Sequence, residues 1–96
     1  MESLVVGKLY YGQSKLLRRR GLTAAEFWSK AREFELYKID GTMWLIDPTQ
    51  PMLYLGLAHP PWQPKLNGSL GRFLVQDAIR FCILERCIFR SVKDSS

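Results

Sequence analysis

The chain has one histidine, two cysteines, and no apolar run approaching the roughly 20 residues that a membrane-spanning helix needs. Each scarcity excludes something. His59 stands alone in a proline-rich stretch, and no second histidine, cysteine pair or carboxylate cluster stands beside it at metal-ligand spacing. No glycine-rich phosphate loop, G-x-S-x-G elbow or H-E-x-x-H pair is present. A catalytic residue, a metal, a cofactor and a small-molecule substrate are therefore not expected. Cys82 and Cys87 lie five apart, which on a helix turns their side chains about 140° from one another. They are expected to be two buried thiols acting as small hydrophobes and unable to bridge. The first eleven residues lack a basic region followed by an apolar core, so no secretory leader is expected and the chain is expected to be cytoplasmic.

What is present is ordinary for one folded domain. Apolar residues make up 47% of the 96, which argues against disorder and for a single domain over 1–96 with a frayed tail at 93–96. Fourteen Lys and Arg against nine Asp and Glu leave a net charge of +5. That balance suits a polyanionic partner and says nothing of fold. No internal repeat and no low-complexity segment is seen.

The N-terminal run Leu4-Val-Val-Gly-Lys-Leu-Tyr-Tyr11 suits either a short strand or the lead into a helix. Residues 14–20 then predict a short helix closed by Gly21, with Arg18, Arg19 and Arg20 in its last turn. Thr23-Ala-Ala-Glu26 is a capping box opening a helix to about residue 36, whose apolar face carries Ala24, Phe27, Trp28, Ala31 and Phe34. Asp40-Gly41 between two β-prone runs predicts a hairpin with a two-residue turn, pairing Tyr37 with Trp44. Asp47-Pro-Thr-Gln-Pro51 is a turn, residues 52–57 a third strand, and 58–68 a loop holding three prolines and Trp62. Ser69 is placed as the N-cap of a long C-terminal helix ending near Val92. Its apolar arc includes Leu70, Phe73, Leu74, Ala78, Phe81, Leu84 and Ile88, widened by Val75, Cys82 and Phe89.

A capped helix followed at once by a hairpin is half of a winged helix. Residues 23–47, with the hairpin stretch Lys38-Ile-Asp-Gly-Thr-Met-Trp-Leu-Ile46 as the closest piece, resemble the core of phage excisionases and related MerR-type winged-helix domains. The resemblance covers about a third of the chain. It implies that the second helix enters the major groove through Ser29, Lys30 and Arg32, and that residues 38–42, with Lys38, form a wing in the minor groove. The wing tip carries Asp40 where that family's pattern favours a cation, and the helix face includes Glu33.

The fold expected is thus α+β: a winged-helix-like N-terminal half, a third short strand and a long C-terminal helix. The function expected is double-stranded DNA binding by a small architectural or regulatory factor. Lys15, Arg18, Arg19 and Arg20 would contact phosphates, since guanidinium forks match phosphate oxygens. A homodimer is expected through Leu74, Ala78, Phe81, Cys82 and Phe89, because the apolar arc exceeds what one small core covers. The alternative from the same arc, with Trp62, is a protein-interaction module such as an inhibitor, adaptor or chaperone-like subunit. Basic side chains gathered on one face would favour the first reading, and scattered ones the second.

Overall fold

Short runs of aromatic, aliphatic and β-branched residues, separated by polar or proline-bearing turns, favour strands. The computed structural model, which describes residues 4–15, 34–60 and 68–92, places seven of them in one antiparallel sheet. They are β1 (Leu9–Ser14), β2 (Phe34–Tyr37), β3 (Met43–Ile46), β4 (Met52–Ala58), β5 (Leu70–Val75), β6 (Ala78–Ile83) and β7 (Cys87–Ser91). Across the sheet the order is β3-β2-β6-β5-β4-β1-β7. A single 3-10 turn, Leu84–Arg86, carries the chain from β6 to β7, although these strands stand far apart in that order. Three residues can span the gap only if the sheet curls until its β7 edge returns toward β6. Contact between β1 and β2, which are not neighbours in the sheet, fits the same curl. The result is a partly open barrel.

This overturns the winged-helix-like α+β fold. Among the described residues only Lys15 is α-helical, and none of the expected helices is found there as an element. The expected long helix from Ser69 to Val92 is instead β5, a hairpin turn, β6, the 3-10 turn and β7. The reason lies in burial on two faces. Phe73, Val75 and Cys82 point into the main core, while Leu70, Phe81 and Ile83 form a second cluster on the outward face. A strand apolar on both faces loses its alternation, and its run then looks like a broad helical arc. Gln76 and Asp77 form the two-residue turn between β5 and β6, with Gln76 at φ 55°. Ser69 caps no helix. Its N–H donates to Glu85 Oε2 at 2.6 Å, and its carbonyl accepts from the Leu84 N–H at 2.9 Å. Glu85 therefore meets a backbone donor.

Of the first helix expected at 14–20, Ser14 ends β1, Lys15 is helical, and 16–20 lie outside the described residues, as does most of the capped helix. The end of that capped helix is corrected, because β2 starts at Phe34. The hairpin is present with a register one residue away from the expected one. Tyr37 pairs with Met43 and Leu36 with Trp44. The Gly41 N–H donates to the Lys38 carbonyl at 2.9 Å, and Gly41 has φ 87° while Asp40 is not in the left-handed region. That is a turn over Ile39-Asp40 followed by a glycine bulge, a three-residue loop, in place of the two-residue turn. A one-residue slip exchanges faces. Trp44 goes inward beside Leu36, and Tyr37 goes outward beside Met43.

The main core gathers Tyr10, Leu36, Ile46, Met52, Tyr54, Phe73, Val75, Cys82 and Leu84. Phe89 closes it from β7, stacked on Phe73 at 5.5 Å and edge-on to Tyr10 at 6.5 Å. Gly71, paired with Cys82, leaves room for the corner. A Cβ there would lie 2.6 Å from Leu84 Cδ2 and 3.0 Å from Phe73 Cε2. Gly71→Ala is therefore expected to lower stability by about 1–3 kcal/mol through overpacking. Urea unfolding measures this; an unchanged midpoint would mean that Leu84 has space to retreat.

Candidate functional site

The β2–β3 hairpin presents its outward face to solvent. Along it stand Ile39, Met43 and Leu45, which are 73%, 54% and 48% exposed. Tyr37 is half-buried beside Met43, and Glu35 sits opposite Leu45. β3 ends the strand order, so its outer row of backbone groups has no strand neighbour among the described residues. Natural edges are usually blunted by a charge, a proline or a bulge within the strand. Met43-Trp-Leu-Ile46 has none of these.

Both ends of this edge are fixed by turn chemistry. At one end is the Gly41 bulge, where Asp40 Oδ1 accepts from the Thr42 N–H at 2.9 Å. Hydrogen bonds from the Thr42 side chain and backbone hold the Asp40 carboxyl below its usual range, so the hairpin tip is anionic. At the other end Asp47 Oδ1 accepts from the Thr49 N–H at 2.8 Å and hydroxyl at 2.7 Å, and Pro48 is buried. The edge thus carries Glu35, Asp40 and Asp47, all exposed, against the half-buried Lys38.

The inward face anchors the hairpin. The Arg80 guanidinium lies over the Trp44 ring at 4.3 Å and donates through Nη1 to the Ile79 carbonyl at 3.0 Å. Its Nε is buried and has no hydrogen-bond partner among the described residues. Beyond the hairpin the outward apolar surface continues along paired positions: Leu9 with Leu53, Leu53 with Leu74, and Leu74 with Ile79. Leu9 is exposed and the other three are half-buried.

The residues expected to bind nucleic acid are not brought together where they can be seen. Arg18, Arg19, Arg20, Ser29, Lys30 and Arg32 lie outside the described residues, as does Trp62. Lys15 is exposed just past β1, and Lys38 sits in the hairpin loop with its N–H donating to the Thr42 carbonyl. Of the other described cations, Lys8 is exposed ahead of β1, Arg86 lines one cleft with Lys15, and Arg72 and Arg90 are not on that cleft. Arg72 is on the outward side of β5, Arg90 over the Tyr11 ring at 5.2 Å, and Arg86 by the 3-10 turn. The five residues expected to pair two copies also separate. Cys82 is fully buried, Phe81 is buried on the outward side, Phe89 packs on the main core, Ala78 is half-buried opposite Val75 at the β5–β6 turn, and only half-buried Leu74 belongs to the outward apolar row.

A cleft of about 450 Å³ opens near the 3-10 turn, with Lys15, Arg86, Glu35, Glu85 and Cys87 on its walls. His59 is exposed after β4. Among the described residues there is no group of three or more potential metal ligands, and no helix is long and apolar enough to cross a membrane. No protein-family model, curated protein or solved structure matches the chain.

Residues 39–46 were legible as a hairpin but not as a surface. The signal was an uncharged strand closed by Asp47-Pro48. The Trp44–Arg80 contact had no signal, since it joins strands far apart in sequence. Arg80→Ala is expected to cost about 1–2 kcal/mol, from the lost ring contact and the lost packing of its stem. Arg80→Lys should recover only part of it. Chemical denaturation checks this, and full recovery by lysine would reduce the role of the planar group to charge alone.

Proposed function

We propose that this domain is a protein-binding module whose docking element is the β3 edge with the outward face of its hairpin. The observation that carries the reading is one uncharged edge strand flanked by Ile39, Met43 and Leu45, all solvent-exposed. An exposed sheet edge recruits an extended segment through backbone hydrogen bonds, and alternate side chains supply specificity. Glu35, Asp40 and Asp47 around it select for cations. The occupant is therefore an extended segment of a partner protein that alternates apolar and basic residues. Among the described cations, Arg72 and Arg90 stand apart from the cleft that Lys15 and Arg86 line, which favours this reading over a polyanion face.

Binding is measured by fluorescence anisotropy with a labelled synthetic peptide alternating valine and lysine. Met43→Lys and Leu45→Lys are each expected to weaken binding at least tenfold, about 1.4 kcal/mol, with little change in thermal stability. Affinity indifferent to both substitutions would remove the site from the edge. Sedimentation equilibrium on the same proteins tests self-association: a dimer dissolved by Leu45→Lys would make a second copy the occupant.

The net charge of +5 and the run Arg18-Arg19-Arg20 favour a second reading, double-stranded DNA binding through phosphate contacts without a winged-helix docking mode. Under it, replacing all three arginines with alanine weakens binding to mixed-sequence duplex at low salt and flattens the salt dependence. Unchanged affinity in that titration counts against it.

A further inference from the structure

Cys82 and Cys87 flank the 3-10 turn, Cys82 as the penultimate residue of β6 and Cys87 as the first of β7. The helical expectation put them on different sides and unable to bridge. The strands remove the helical premise of that expectation. Cys82 belongs to the main core and Cys87 packs against the same cluster. Both are free thiols. Their exposures differ: Cys82 is fully buried, whereas Cys87 is half-buried and lines the cleft of about 450 Å³. The wall of that cleft carries two cations, Lys15 and Arg86, and two carboxylates, Glu35 and Glu85.

We propose that Cys82 and Cys87 form a redox-active dithiol that closes to an intramolecular disulfide by exchange with a small zwitterionic peptide disulfide bound in this cleft. The cleft has the size for a short peptide and charges of both signs to meet its ammonium and carboxylate groups. In the first step the Cys87 sulfur, as thiolate, attacks one sulfur of the small disulfide. Its S–S bond breaks, a mixed disulfide forms on Cys87, and one small thiolate leaves. In the second step the Cys82 thiol gives its proton to the small thiolate released in the first, attacks Cys87 Sγ as thiolate, and the second small thiolate leaves. The dithiol loses two electrons and two protons, and the small disulfide becomes two thiols. Burial and contact with the Cys87 thiol push the Cys82 thiol well above its usual range. A protonated, enclosed sulfur does not meet an external oxidant directly, which sets the order of the two steps. The bridge would lock the corner at which β6 passes into β7.

The test is intact-mass spectrometry of the native full chain incubated with oxidised glutathione. The expected product is lighter than the reduced chain by two hydrogens and carries no adduct. Cys82→Ser should instead hold one glutathione on Cys87, and Cys87→Ser should remain unmodified while folded. Circular dichroism confirms that each variant keeps its sheet, and the wild-type result stands without them. A stable glutathione adduct on the wild-type chain, disulfide-linked dimers, or no reaction at all would each overturn the proposal.

Discussion

Everything in this barrel depends on the corner at Leu84–Arg86. β6 sits inside the sheet and β7 forms its far edge, so the short turn between them compels the sheet to close on itself. The corner is held by three different kinds of contact. Leu84 is driven inward by burial, an effect of about 1.5–3 kcal/mol for a side chain of that size. The Leu84 N–H and the Glu85 carboxylate both engage the backbone of Ser69, which ties the turn to the start of β5. Gly71 then supplies the missing volume beneath Leu84. Once the corner is set, β7 lies along β1 from Cys87 to Ser91, and Phe89 reaches Phe73 and Tyr10.

Part of this was legible from residues alone. The hairpin around Asp40-Gly41, the turn from Asp47 to Pro51 and the strand after it were marked by local chemistry, and local chemistry does not depend on the rest of the fold. The register of the hairpin was not legible. Asp-Gly suits both a two-residue turn and a glycine bulge, and the choice falls to whichever places Trp44 against Leu36 and Arg80. The C-terminal third misled for a physical reason. Leu70, Phe81 and Ile83 are buried on the face that would ordinarily be wet, which erases the period of two. Of the candidate site, Met43 and Leu45 were visible as strand residues, but their exposure follows from sheet order, which no local pattern records.

The two faces of the sheet divide the labour. Inward, Leu36, Ile46 and the Trp44–Arg80 contact join the hairpin to the core. Outward, the same hairpin spends its exposed positions on Ile39, Met43 and Leu45, side chains that solvent does not favour. A preformed edge costs little further ordering when a strand is added to it, so more of the contact energy is available for affinity. The carboxylates at both ends restrict which strands can use it. The acidic ledge and the mixed-charge cleft meet at Glu35, which stands opposite Leu45 on the hairpin and also lines the cleft.

The pairing of β1 with β7 has a consequence in time as well as in space. Tyr10 meets Ser91 and Ser14 meets Cys87, so the first described strand is completed by the last. Contacts between such distant residues incur their loop-closure entropy before any of their stabilisation is realised, and sheets built on them fold slowly. During synthesis the outer side of β1 has no partner until the end of the chain has emerged. The β5–β6 hairpin, whose turn is local, is free to form early. The barrel is thus a structure that remains unclosed for most of its own assembly.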